Sequence, residues 1–387
     1  MKKFLGVIMA AAMVLSLAAC GGTSSPSPSA DAEKKDYKIG IITGTVSQGE
    51  EEFRAAEAMA KKYPEMIVTK TYPDNFAEEQ DQTIARVVEL AEDPDVKAIV
   101  FVQAVPGAKA AIEKVRETRP EMFFFCGVPG EDPGVIAPVA DVVMNNDELS
   151  MGVKIIEQAE KMGAKTFVHI SFPRHMSYEN LARRRDLLKK TCEEKNIKFI
   201  EANAPDPSKE GTPAAQKAVK ELVPQYVAEY GKDTAFFSTN CGMQEALITS
   251  VLEQGAIYPV QCCPSPMHAY PGALGISVPE DKMTDMAYMT KAIANSIKEK
   301  NGDPARFSTW PVAINMTIVE TGVEYCMMYL DGKTNGKNDT KTLTEVVSKV
   351  TDGASFTMTP YEQADGTKIE NYYMVLCEFV DFTKLAD

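Results

Sequence analysis

The sequence predicts an α/β protein of two lobes, each a doubly wound parallel sheet. Short apolar runs alternate with amphipathic helical stretches from residue 37 onward. The runs are apolar at consecutive positions, as strands covered on both faces must be, rather than at every second one. The alternation also begins afresh near residue 147, and 387 residues are enough for two cores.

Residues 37–43 form the opening strand, which ends at Gly44. Across 50–62, Phe53, Ala56, Met59 and Ala60 recur at helical spacing. A strand at 66–71 follows, then a helix at 77–92 with Ile84, Val87, Val88 and Ala91 on one face. A strand at 97–103, a helix at 107–118, a Phe-rich strand at 122–127 and a strand at 139–144 complete the first round. The second round reads helix 149–162, strand 166–172, helix 178–195, strand 197–202, helix 213–230, strand 234–239, helix 242–255 and strand 259–263. Right-handed crossovers leave few topologies for such a series.

Beyond residue 264 the pattern weakens. Residues 275–278 suit a short strand, and 282–299 a helix with Met286, Met289, Ile293 and Ile297 on one face. Residues 310–313 read as extended, 316–330 as a helix stopped by Asp331-Gly332, and 371–382 as a strand. The expected boundaries are lobe 1 at 37–146, with 312–387 returning to it, and lobe 2 at 147–311.

The first residues do not belong to this pattern. Lys2 and Lys3 precede an apolar run from Phe4 to Ala19, short for a membrane span but suited to a secretory signal. The run ends Leu17-Ala18-Ala19-Cys20, which resembles the lipobox of bacterial lipoproteins. That resemblance implies a signal peptide at 1–19 and lipidation of Cys20. Residues 20–36 then begin as a Gly, Ser, Thr and Pro tether that holds the body off a membrane surface.

The balance of 41 Lys plus Arg against 55 Asp plus Glu gives a formal net charge of −14. Such a surface suits phosphate backbones poorly, so no nucleic-acid partner is expected. Beyond Cys20 an odd number of cysteines remains, without a Cys-x-x-Cys spacing, and most lie in apolar runs; buried free thiols are expected, with one disulfide as the alternative in an oxidising environment.

Several passages carry a further resemblance. They are Lys38-Ile39-Gly40-Ile41-Ile42 with its following loop and helix, Val142-Val143-Met144-Asn145-Asn146-Asp147 leading into Ser150-Met151-Gly152, and the late helix from Gly322 to Leu330 closing in Gly332-Lys333. Here the chain resembles the type I solute-binding proteins, the family of the bacterial ribose-binding and branched-chain amino-acid-binding proteins. Within that superfamily it is similar to uncharacterised bacterial lipoproteins. The resemblance implies two lobes with a first crossing near Asn146, a small-molecule ligand in the cleft and an ABC-type permease as partner. No cofactor and no catalysis are expected.

In open parallel sheets the ligand lies beyond the carboxyl ends of the strands. Residues just after each strand are therefore the candidates: Ser47, Gln48 and Gln103 in the first lobe, and Arg174, His175, Tyr178, Asn240 and His268 in the second. The loop Gly44 to Gly49 has the glycine spacing of a phosphate loop, but Glu50 and Glu51 stand where such a site needs Lys and Ser or Thr, which excludes nucleotide hydrolysis. The loop Phe172-Pro173-Arg174-His175-Met176-Ser177-Tyr178 is the most informative. An Arg can hold a carboxylate or phosphate through two parallel hydrogen bonds, and aromatic faces can stack on a ring. The competing reading pairs Arg174 with a carboxylate of the protein. Arg183-Arg184-Arg185 reads as a solvated helix face, since consecutive helical residues fan out by about 100°. His169 reads as a core residue. His175, His268 and Cys263 could converge on a metal, but nothing in their spacing demands it and no metal site is assigned. No catalytic motif is present.

The expected function is that of a lipid-anchored, extracytoplasmic solute-binding protein at the cell membrane, delivering a small polar ligand to an ABC-type transporter. The alternative is a ligand-sensing receptor component that uses the same cleft without transport.

Overall fold

The computed structural model describes residues 35–279, 282–283 and 285–386. The expected signal peptide, Cys20 and most of the tether lie outside the described residues.

In the first lobe, β1 (Lys38–Thr43), β2 (Ile67–Thr71), β3 (Val96–Val102), β4 (Phe123–Gly127) and β5 (Val142–Asn146) are parallel neighbours in the order β2-β1-β3-β4-β5. Between them run α1 (Val46–Lys62), α2 (Gln80–Glu92), α3 (Ala108–Arg116) and a short α4 (Pro133–Ile136). Side chains alternate across the sheet. Val100 and Val102 enter one apolar cluster, while Ile99 and Phe101 enter another on the opposite face. Both faces are dry, which is why these strands read as unbroken apolar runs.

The second lobe holds α5 (Glu148–Lys161), β6 (Thr166–Ser171), α6 (Pro173–Met176), α7 (Glu179–Glu194), β7 (Lys198–Asn203), α8 (Thr212–Tyr230), β8 (Thr234–Ser238), α9 (Gln244–Gln254), α10 (Tyr270–Leu274) and α11 (Met286–Glu299). Its sheet runs β7-β6-β8, all parallel, extended only by the single bridges Ala235 to Ile257 and Tyr258 to Phe307. The expected strands at 259–263 and 275–278 do not form. Pro259, Pro264 and Pro266 cannot donate to a ladder, and the chain turns away after Tyr258.

The chain then returns through α12 (Ile314–Leu330), α13 (Thr340–Val350), β9 (Phe356–Glu362) and β10 (Lys368–Cys377). Strand β10 lies parallel to β5 and antiparallel to β9, making a seven-stranded sheet. Helix α12 sits against β3 and β4 so closely that a Cβ at Gly322 would lie 2.7 Å from Val100 Cγ1. The tail differs from expectation. Val380 N–H donates to Thr309 O at 2.8 Å, and Phe382 packs edge-on against Tyr270 at 5.8 Å. Residues 380–386 thus belong with the second lobe, because Phe382 fills a place in that lobe's apolar cluster.

The lobes share a core. One cluster contains Ile39, Val100 and Met151 together with Phe237, Ile257 and Trp310. Trp310, the sole tryptophan, is fully buried in the 308–313 crossing, which is irregular rather than a strand.

Candidate functional site between the lobes

The carboxyl ends of β2, β3 and β4 face those of β6 and β8 across a cavity of about 90 Å³. Around it the lobes touch directly. Glu179 N–H donates to Asp132 Oδ1 at 2.7 Å, Asn180 Nδ2 to Tyr372 OH at 3.4 Å, and Lys209 pairs with Glu78 at 2.7 Å. Glu131 caps α3, accepting from Gly107 N at 3.0 Å and Lys109 N at 2.8 Å, so that helix N-terminus is already occupied.

Of the residues singled out from the sequence, Gln103, Arg174, His175, Tyr178 and Asn240 line the cavity. Ser47, Gln48 and His268 are not among its walls. Helix α1 starts earlier than its apolar pattern, at Val46 behind the cap Thr45, and breaks at Gly49. Ser47 is exposed, while Gln48 turns inward and donates to Asp74 O at 3.0 Å. Asn240 caps the next turn by accepting from Gly242 N at 2.9 Å. Gln103 donates to Glu52 Oε1 at 2.8 Å, a fully buried carboxyl that burial and the neighbouring Cys263 and Glu51 push up to about 7.

Arg174 is not an open clamp. Its Nε reaches Asp206 Oδ2 at 2.6 Å, its Nη2 reaches Asp206 Oδ1 at 2.8 Å, and its Nη1 donates to Tyr178 OH at 2.8 Å. The fork expected to hold a ligand already holds a carboxylate, and Phe76, Phe172 and Tyr178 surround the guanidinium. His175 is buried beside it, within 3.0 Å of Thr239 Oγ1; burial, then the Arg174 charge, holds the imidazole well below its ordinary range and so neutral.

Arg184 is the reverse case. Its side chain is 1% exposed, lines the cavity, and stacks over Phe237 at 5.1 Å. Its Nε, Nη1 and Nη2 all lack a hydrogen-bond partner, and the nearest carboxylate oxygen, Glu148 Oε1, is 3.7 Å from Nη1. Burial pushes Glu148 up to about 7, against the pull of Arg184. Asn145 Oδ1 and Asn180 Oδ1, from side chains that bond Tyr372 OH, are also without partners. The solvated-face reading of the arginine triplet therefore fails for its middle member. Leu181 and Leu188 flank Arg184 on the buried face of α7, a spacing of three and four that was present in the sequence. Gly152 of α5 makes room for this face; a Cβ there would lie 2.6 Å from Leu187 Cβ and 3.0 Å from Arg184 O.

Three thiols meet at the cavity wall. Cys241 Sγ stands 3.5 Å from Cys262 Sγ and 3.6 Å from Cys263 Sγ. All seven cysteines of the described residues are free. The Cys241 thiol is pushed well up by its thiol neighbours and by burial. Cys262 opposes its own burial and falls well below the ordinary thiol range, because both neighbouring thiols and the Arg184 charge favour its anion. His268 joins Cys241 and Cys262, with one donor atom from each within 4.8 Å of the others. His175 does not join them.

The two α/β lobes closed over a polar cavity have the type I periplasmic-binding fold. The chain belongs to the family described as protein of unknown function (DUF3798), whose model matches residues 37–308. It is 36% identical over 200 residues to an uncharacterized protein of Treponema pallidum (strain Nichols), covering 50% of this chain and 90% of that one. Among solved structures it is similar to a protein described as a transcriptional regulator from Clostridium difficile 630, with a TM-score of 0.70 and 25% identity over 89% of this chain and 99% of the other. It also shares its fold with an ABC transporter solute-binding protein from Clostridium phytofermentans with bound L-rhamnose, at a TM-score of 0.54 and 8% identity over 91% and 97% of the two chains.

Proposed function

We propose that the protein is an extracytoplasmic solute-binding protein, anchored through a lipidated Cys20, that delivers a small anionic metabolite to an ABC-type permease. The observation that carries the reading is Arg184, a buried cation on the cavity wall with no hydrogen-bond partner on any of its three nitrogens. A buried guanidinium whose donors make no hydrogen bond, with its carboxylate neighbour Glu148 held off at 3.7 Å, is costly to keep, and a ligand carboxylate or phosphate can take up its donors bidentately. Glu148, largely protonated below about pH 7, can donate to the same ligand. A cavity of about 90 Å³ suits a ligand of few heavy atoms. Only the closed lobes bring Gln103 and Arg184 to one ligand, so binding favours closure.

The test is a thermal-shift screen of small carboxylates and phosphates against neutral sugars. At 100 times its dissociation constant a ligand adds about 2.7 kcal/mol of stability. Arg184→Met removes that gain if the guanidinium clamps the anion. A ligand whose gain survives Arg184→Met, or stabilisation by neutral sugars alone, sinks the reading. For the anchor, the wild-type protein should take up palmitate label and Cys20→Ser should not; an unlabelled wild type would reject it. Two acyl chains hold a protein stably at a membrane, whereas one is marginal.

The second reading is ligand sensing with the same cleft, supported by the likeness to the protein described as a transcriptional regulator. Co-purification with a permease and ATPase supports transport, and with a histidine kinase, sensing.

A further inference from the structure

We propose that Cys241, Cys262 and His268 hold a thiophilic metal ion of the zinc type at the wall of the cleft, as three protein ligands with the fourth position open. This does not depend on the solute-binding reading. Sulfur and imidazole together select soft or borderline transition metals over calcium or magnesium, which take oxygen. Zinc–sulfur bonds of about 2.3 Å in a tetrahedron put two sulfurs about 3.8 Å apart. The observed 3.5 Å between Cys241 Sγ and Cys262 Sγ already approaches that value. A disulfide would need about 2.05 Å, a far larger displacement.

The surroundings also point to a ligand. His268 Nε2 and Glu51 Oε2 are buried without hydrogen-bond partners, although Glu51 Oε2 stands only 3.7 Å from His268 Nδ1. A carboxylate behind a ligating histidine is the usual means of orienting the ring. The donors sit on fixed backbone. Gln261 Nε2 donates to Ser265 O at 2.7 Å and to His268 O at 3.0 Å, while Thr309 Oγ1 donates to Gln261 Oε1 at 2.8 Å. Cys241 and Cys262 bind as thiolates, releasing two protons to solvent, so the two charges of the ion are matched.

The test uses the metal-stripped full chain in detergent, with a non-thiol reductant present. Added Co²⁺ should bind at one equivalent with a thiolate-to-cobalt charge-transfer band that Zn²⁺ abolishes. The band should be lost in C241S and in H268A and kept in C126A, a buried thiol elsewhere. Because a variant can fail to fold, the second measurement uses the unmutated protein. Iodoacetamide labelling read by peptide mass spectrometry should show Zn²⁺ protecting Cys241 and Cys262 but leaving Cys126 and Cys377 unchanged. Absence of the charge-transfer band, or equal labelling of Cys241 with and without Zn²⁺, overturns the proposal.

Discussion

Arg174 and Arg184 line the same cavity from the same lobe, yet their surroundings are opposite. Arg174 spends its fork on Asp206 and its remaining nitrogen on Tyr178. Arg184 is more deeply buried and makes no hydrogen bond, with Glu148 Oε1 at 3.7 Å. A satisfied buried cation holds a wall together, whereas an unsatisfied one stores a demand that a ligand can meet. The difference arises from neighbours distant in sequence. Asp206 lies on the loop after β7 and reaches Arg174, while Glu148 stops at 3.7 Å from Arg184.

The largest expected effect breaks the satisfied side. Asp206→Ala leaves Arg174 charged and removes two of its three hydrogen bonds, with side-chain exposures of 14% and 7% for the pair. Loss of one partner of a buried pair is destabilising by about 3–5 kcal/mol. Chemical denaturation measures this, and a loss below about 1 kcal/mol, the level of exposed pairs, would mean the pair behaves as a surface contact. Arg184→Met should do the opposite to the ligand-free protein below about pH 7, where Glu148 is protonated and is not left as a buried charge: its stability stays unchanged or rises by up to about 4 kcal/mol, since an apolar side chain replaces a guanidinium that makes no hydrogen bond. A fall instead would show that Arg184 is satisfied in solution.

A smaller effect sharpens the contrast from the backbone. Gly152→Ala pushes α7 away from α5, because its Cβ would meet Leu187 and the Arg184 carbonyl. Overpacking of this kind is destabilising by about 1–3 kcal/mol, and it should weaken ligand binding more than the equivalent loss on the Arg174 side. Comparing ligand-induced thermal shifts in the two variants checks this.

The smallest effect is a slope in pH. The Glu148 carboxyl rises from 4.5 to about 7 through burial, with Arg184, Asn145 and Asn180 facing it and favouring its charged form and Cys263 opposing it. The native state therefore holds more protons than the unfolded chain in that window. This contribution to stability is complete below about pH 4.5 and is lost as the pH rises through about 7. Glu148→Gln should flatten that part of the stability curve. His175 acts with the opposite sign: its neutral form is native, so protonation of the unfolded chain erodes stability as the pH falls below 6.5. An unaltered slope in Glu148→Gln would place the carboxyl in solvent.

Much of the frame was legible in the sequence because burial on both faces leaves a local mark. The apolar runs of β1, β3, β4, β6 and β8 and the helical spacing of α2 and α11 were visible without any partner. Helix α13 and β9 were not. Strand β9 buries only Tyr361 and forms as an edge because β10 is there to pair with it. The tail at Phe382 likewise finds a second-lobe pocket that no local pattern announces.

For the site, sequence determined the composition of the loops after the strands, and so brought Gln103, Arg174, His175, Tyr178 and Asn240 into view as cavity residues. Tertiary structure alone decided which charges were already answered. Whether a guanidinium is a clamp or a strut depends on the carboxylates that long-range packing delivers to it. It gave Arg174 its Asp206, denied Arg184 an equivalent, and brought Cys241 beside Cys262 and Cys263 from different segments of the second lobe. Local propensity sets backbone conformation over a few residues, but electrostatic pairing acts between chain positions that only the fold makes neighbours.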